Sequence, residues 1–214
     1  MTPEQRFPYY EQLTKKEQRT YDRSDAVTEV ALPSTLLPAL QKRARHVAVA
    51  LASDRQPAVQ AASRELVRRI VEALGAGPVE VRVRAVRPSS AEGELHGLYT
   101  REEDGRATIE VWMRTAARGA VVAPRTYLRT LLHELVHHLD FEVLKLEDTF
   151  HTRGFFRRES SLVRQLETPR AAPSATTEVE PETREGKLRR LRKALGAADP
   201  PQQLALDLGH SQDR

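Results

Sequence analysis

The most constraining feature of the sequence is a helical segment that begins at Pro124 and places two histidines on one face. Large apolar residues recur every three or four positions from Leu128 to Leu139, which predicts an amphipathic helix, and proline is well placed at its first position. Within this helix, His133 and His137 belong to an H-E-x-x-H pattern. Because residues four apart project from the same face of a helix, both imidazoles can bind one metal ion.

The H-E-x-x-H pattern also predicts different roles for its histidines and its glutamate. Glu134 follows the first histidine directly, so it is too close in sequence to chelate with both histidines but can reach a metal-bound water. We therefore predict that Glu134 is a general base and that His133 and His137 are ligands of Zn²⁺. The chain has no cysteine, so the rest of the site must use histidine, aspartate or glutamate.

A third ligand must follow the helix, because a catalytic zinc keeps three protein ligands and one open position. His151 is the leading candidate, since a loop followed by a helix can return it to the metal. The alternatives are the carboxylates of Glu147, Asp148 and Glu159.

Other polar residues near the pattern are candidates for supporting roles. Asp140 either orients a ligand imidazole or is a solvated carboxylate at the helix end. His138 points roughly 100° away from His137 around the helix, so we expect it to support the site or to face solvent. Candidates for stabilising an oxyanion are His96, Tyr99 and Arg153.

The H-E-x-x-H helix, the short connection and the histidine before a second helix together resemble the SprT-like zincin metallopeptidases. His151 follows His137 by 14 residues, and Phe155 follows His151 by four, which are intervals that fit this family. One departure is visible, because Thr152 replaces the glycine that usually follows the histidine, although Gly154 stands two positions later.

This resemblance implies an activity. It implies a zinc-dependent metalloendopeptidase that hydrolyses peptide bonds with a zinc-activated water, with Glu134 as the general base. A protein or peptide is the expected substrate, and the family likeness adds DNA-associated or DNA-crosslinked proteins as a candidate class. The alternative is a catalytically silent zinc-binding zincin scaffold that serves as a DNA-associated adaptor or binding module.

The rest of the sequence predicts an α+β fold. Helical periodicity covers residues 36–51, 66–74 and 155–166, while residues 79–86, 95–100 and 107–113 read as strands, the last two joined by an Asp-Gly hairpin signal. We expect a zincin-like metallopeptidase domain over residues 31–168, with a small, mainly antiparallel sheet packed against the H-E-x-x-H helix. The resemblance further implies that residues 107–113 form the sheet edge along which a peptide substrate lies.

The two ends of the chain differ from this domain in composition. Residues 1–30 are polar and lack a sustained period, which predicts an N-terminal arm or a short helix. Residues 169–214 begin with a stretch rich in proline, alanine, threonine and glutamate, which is typical of a flexible tail.

The predicted tail contains two candidate binding segments. A short basic helix could contact DNA phosphates through Lys187, Arg189, Arg190, Arg192 and Lys193. Further on, residues 203–208 resemble the peptides that dock bacterial DNA-repair proteins on the sliding clamp. The residues that carry this second resemblance are Gln203, Leu206 and Leu208.

The overall charge and the apolar runs constrain partners less than the motifs do. Thirty-four Lys and Arg residues against 30 Asp and Glu residues leave a net charge of only +4, which is a weak argument for nucleic-acid binding. No signal-peptide pattern and no run of 18 apolar residues occurs, so we expect a cytoplasmic protein with no membrane partner.

Overall fold

The computed structural model describes residues 6–90 and 93–167, which form an α+β fold of five α-helices and a small sheet. A 3-10 helix, Pro8–Gln12, precedes the first α-helix. The α-helices are α1 Lys15–Ala26, α2 Leu37–Ala52, α3 Gln56–Ala73, α4 Pro124–Glu142 and α5 Arg153–Leu166. The strands are β1 Glu80–Val86, β2 Ser89–Ser90, β3 Gly93–Glu94, β4 Gly97–Arg101 and β5 Ala107–Arg114.

The main sheet has the strand order β1-β5-β4 and is mixed, so the expectation of a mainly antiparallel sheet was only partly correct. β4 and β5 form the predicted antiparallel hairpin, in which Gly105 adopts a φ of 85°. β1, however, pairs with β5 in parallel, with Val81 opposite Ile109. The hairpin signal is local in sequence, whereas the partner of β1 is set by tertiary packing, which strand periodicity does not encode.

This strand order corrects a second expectation, that residues 107–113 form an open edge of the sheet. β5 lies at the centre, because β1 and β4 pair along its two sides. The backbone of β5 therefore has no free side for a peptide, and the edge strands of this sheet are β1 and β4.

The outer edge of β1 is covered by side chains from α3. The Gln60 side chain donates to the Val81 carbonyl (2.6 Å) and accepts from the Val83 amide (2.7 Å), as a neighbouring strand would. Gln56 donates to the Val83 carbonyl (2.7 Å), and Arg64 donates to the Val81 carbonyl (3.0 Å). Since such contacts satisfy the groups that would template another strand, β1 is closed to strand addition.

The core lies between the sheet and the helices. Ile109, Val111 and Met113 alternate along β5 and are fully buried, as the period of a half-buried strand requires. α4 contributes the leucines predicted from its periodicity, together with Val136; the fully buried members of this face are Leu131, Leu132, Leu135, Val136 and Leu139. Within the described ranges, no helix has the length and apolar character needed to cross a bilayer.

The structure describes most of the N-terminal residues but not the predicted C-terminal tail. Residues 6–30 contain the 3-10 helix and α1, whose first turn is fixed by a capping box between Thr14 and Glu17. The predicted tail of residues 169–214 lies outside the described residues, and so do its basic helix and its clamp-docking segment.

Candidate metal centre

Three histidines converge at one point of the structure. His133 and His137 project from α4, and His151 comes from the ligand loop, which we define as residues 143–152 between α4 and α5. The Nε2 atom of His151 lies 3.0 Å from that of His133 and 3.1 Å from that of His137. Nitrogens that share a tetrahedral zinc at about 2.0–2.1 Å stand roughly 3.3 Å apart, so the three histidines could bind one metal ion.

The ring orientation of His133 is fixed from behind by Glu159. The His133 Nδ1 lies 3.0 Å from Glu159 Oε2, and since an ionised carboxylate only accepts, Nδ1 carries the proton. The Nε2 of His133 therefore keeps its lone pair for a metal. Glu159 also pairs with Arg129 at 3.1 Å, so this carboxylate, predicted as an alternative ligand, holds the candidate ligand His133 instead.

The second candidate ligand on α4, His137, is oriented by a relay of two side chains. The His137 Nδ1 donates to Thr149 Oγ1 (2.8 Å), and the Thr149 hydroxyl donates to Asp140 Oδ2 (3.0 Å). Asp140 thus acts on the ligand through Thr149 and is fully buried, which decides between the two roles predicted for it. Arg158 pairs with Asp140 at 2.8 Å, and both side chains are completely buried.

Aromatic rings pack against the three histidines. The buried Phe155 ring lies with its centroid 4.6–5.0 Å from those of all three imidazoles, and Tyr99 stacks on His137 at 6.1 Å. Burial, helped by His133 and His151, lowers the pKa of His137 to about 3. Burial likewise lowers the pKa of His151. Because a metal binds the neutral imidazole, both side chains are at neutral pH in the state that metal binding would require.

The start of α5 explains why the chain tolerates Thr152 in place of glycine. Thr152 has a φ of −86°, which any residue can adopt, and its side chain accepts from the Phe155 amide (3.0 Å) as the N-cap of α5. Gly154 has a different function: a Cβ there would lie 2.5 Å from the backbone oxygens of Ser24 and Asp25 in α1. Glycine is therefore needed at position 154 for the close packing of α1 on α5.

Glu134 lies between α4 and β4, and its carboxyl is largely shielded from solvent. A Cβ on Gly97 would lie 2.3 Å from Glu134 Oε1, so β4 can approach this carboxylate only with glycine at that position. Burial raises the pKa of Glu134 to about 7, against the opposing effects of His133 and of a hydrogen bond from the Tyr99 backbone. A carboxyl with such a pKa suits proton transfer near neutral pH.

The remaining candidates lie outside the histidine group. Glu147 pairs with Lys16 (3.1 Å), and Asp148 accepts from the Thr149 amide (2.7 Å). His138 is buried and donates from Nε2 to the Gly77 carbonyl (2.8 Å). Its Nδ1 accepts from the Tyr99 hydroxyl (3.3 Å), so that hydroxyl already has a partner. His96 and Arg153 are both exposed.

Sequence reasoning missed Thr149, Arg158 and Gly97, which complete the surroundings of the site. None of them belongs to the H-E-x-x-H pattern, and their roles depend on contacts between distant parts of the chain. The only available signal was the position of Gly97 and Tyr99 in a short strand before the helix.

The chain matches no protein-family model, no curated protein and no solved structure. Its function must therefore be inferred from the geometry of this site.

Proposed function

We propose that this protein is a zinc-dependent metalloendopeptidase of the SprT-like zincin type. The observation that carries the proposal is the convergence of three Nε2 atoms beside a buried carboxyl whose pKa is raised to about 7. His133, His137 and His151 would hold the zinc. When bound, zinc polarises a scissile carbonyl and lowers the pKa of a water towards 7.

Glu134 is the general base in this proposal. Its carboxylate takes a proton from the attacking water and then delivers it to the leaving amine, so that a peptide bond is hydrolysed. Glu159, Thr149 and Asp140 hold the two ligand imidazoles of α4 in position, and Phe155 keeps water away from behind the ligands.

The edge strand β4 is the proposed binding site for an extended peptide. β5 is paired on both sides, and the edge of β1 is covered by Gln56, Gln60 and Arg64. β4 is the remaining edge strand of this sheet. Its Tyr99 backbone already donates to Glu134, so a peptide would pair with the other edge groups of β4, beside that carboxyl. Backbone hydrogen bonds along β4 would hold a peptide in register, while side-chain pockets would select it.

DNA-associated or DNA-crosslinked proteins are the proposed substrate class, and this part of the proposal rests on the resemblance to the SprT-like family. The DNA contacts of residues 187–193 and the clamp contacts of residues 203–208 agree with such a substrate and stay predictions. The competing function is a zinc-binding scaffold without activity, which the same three histidines would equally support.

The decisive experiment compares the full-length chain with its Glu134→Gln variant. Both are loaded with zinc, their metal content is measured, and cleavage of casein and of a protein crosslinked to a DNA oligonucleotide is followed. We expect one zinc per chain in both proteins and a roughly 10²- to 10⁴-fold slower cleavage by the variant, because the general base is lost. The exposed Glu103→Gln is the matched control and should cleave like the parent.

Two results would count against the proposal. A parent chain that binds no zinc removes the metal centre altogether. A zinc-loaded parent that leaves both probes intact favours the silent scaffold instead.

A further inference from the structure

The N-terminal residues, to which the sequence assigns no role, hold the ligand loop. The Tyr9 hydroxyl donates to the backbone carbonyl of His151 (3.0 Å), the predicted third ligand. Arg23 of α1 donates to the Lys145 carbonyl (3.2 Å), and the buried Tyr21 ring lies 6.2 Å from the Phe150 ring. These contacts reach the beginning and the end of the loop, so its path depends on α1.

A second set of contacts joins the end of α1 to the interior of the site. Arg158 donates to the backbone carbonyls of Ser24 and Val27 and to the Ser24 hydroxyl (2.9 Å). The last carbonyls of a helix have no partner within it and carry partial negative charge, so a buried cation is well placed there. Gly154 strengthens the same junction, since its amide donates to Asp25 Oδ1 (2.8 Å).

Arg158 also belongs to the relay that orients His137. Its guanidinium donates to both oxygens of Asp140 (2.8 and 3.0 Å), and Asp140 accepts from Thr149, which in turn accepts from His137. A guanidinium can be buried at a moderate cost in free energy only where hydrogen-bond acceptors of the protein take the place of the water molecules that it loses. The carbonyls at the end of α1 accept some of the hydrogen bonds of Arg158. If α1 undocked, the guanidinium that holds Asp140 would lose these partners, and the relay would lose part of its support.

We propose that Arg158 is a positioning residue that couples the docking of α1 to metal binding, so that residues 6–27 are part of the metal centre. The inference rests on the proposed zinc site. Coupling of this kind is reciprocal: if docked α1 raises the affinity for zinc, then bound zinc stabilises docked α1 by the same factor. The N-terminal segment therefore controls how firmly the protein holds its metal.

The test uses the full-length chain and measures two quantities. Zinc affinity is obtained by competition with a chromophoric chelator, and amide hydrogen exchange of residues 15–26 is compared with and without zinc. We expect zinc to slow this exchange in the parent chain. In Arg158→Lys, which keeps the charge but loses the planar fork, we expect roughly 10- to 100-fold weaker zinc binding and little zinc-dependent protection.

Two further variants make the result interpretable. Arg157→Lys changes the adjacent exposed arginine of α5 and should match the parent in both measurements. Tyr9→Phe removes one hydroxyl from the partly exposed N-terminal segment, and we expect about 3- to 10-fold weaker zinc binding from the loss of its bond to His151. This second variant decides the question if Arg158→Lys does not fold.

The inference is overturned if a folded Arg158→Lys protein, or Tyr9→Phe in its place, binds zinc within twofold of the parent. It is also overturned if zinc leaves the exchange of α1 unchanged. In both cases the metal centre itself stands. A parent chain that binds no zinc overturns the inference and the proposed function together.

Discussion

At the scale of single residues, burial shifts the pKa of Glu134 and the pKa of His137 in opposite directions. Burial raises the pKa of Glu134 from 4.5 to about 7, so the folded state binds a proton more tightly than the unfolded state. Burial lowers the pKa of His137 from 6.5 to about 3, so the folded state binds that proton less tightly. With rising pH, Glu134 therefore costs stability between 4.5 and 7, while His137 adds stability between 3 and 6.5.

The Glu134→Gln substitution separates these two contributions in the metal-free protein. At pH 4 the Glu134 carboxyl is mostly protonated in both the folded and the unfolded state, and we expect similar unfolding free energies for both proteins. At pH 8 the parent buries a carboxylate and glutamine does not, so the variant should be more stable, by up to about 3 kcal/mol. Urea unfolding with excess chelator measures this, because a bound cation would itself lower the pKa of Glu134.

The exposed Glu103→Gln provides the baseline for that comparison and should not change the pH dependence. Equal stability of parent and Glu134→Gln at pH 8 would show that the carboxyl at position 134 is solvated, contrary to its burial in the structure.

At the scale of elements, helix propensity and close packing predict opposite effects of Gly154→Ala on the stability of the protein. Alanine in place of glycine within a helix ordinarily stabilises a protein by roughly 0.5–1 kcal/mol. At position 154, however, the new Cβ would lie 2.5 Å from backbone oxygens of α1, which cannot move away as a flexible side chain would. We therefore expect the clash with α1 to lower the stability by more than the helix propensity of alanine raises it.

We expect Gly154→Ala to lower the unfolding free energy by about 1–3 kcal/mol, the range typical of overpacking. Chemical unfolding measures this, and Arg157→Ala on the same helix is the control, since both residues favour helices and Arg157 is exposed. A more stable Gly154→Ala protein would mean that α1 does not pack closely against the start of α5.

The covered edge of β1 leads to a prediction at the scale of the whole molecule. Gln60→Ala would leave the Val83 amide without its side-chain partner, while the Val81 carbonyl would keep only the bond from Arg64. Because unpaired groups on an edge strand template pairing with another chain, we expect a variant that self-associates as its concentration rises. Sedimentation velocity over a range of concentrations measures this, with the exposed Gln12→Ala as control.

A Gln60→Ala protein that sediments like the control at all concentrations would show that other features of β1 prevent pairing. The charged side chains of Arg82 and Arg84, which are exposed on the same strand, are the first that could do so.

The whole molecule also shows which features the sequence encodes locally. Periodicity predicted α2 to α5 and the strands β1, β4 and β5, whereas α1 has no sustained period and was only one of two alternatives, and β2 and β3 were not predicted. The spacing of His133, His137 and His151 led to a histidine group that the structure brings together. The parallel pairing of β1 with β5 and the central position of β5 were not predictable, since they depend on long-range packing. The same holds for Arg158, which contacts residues of α1 more than 130 positions away.

The glycine at position 97 has a consequence for how such a protein could change over time. A methyl group there would lie 2.3–2.8 Å from side-chain atoms of Glu134, so the carboxylate would have to leave its present position. Under the proposed function, a single codon change could thus displace the general base and leave a protein that only binds its metal, without any alteration in the H-E-x-x-H pattern.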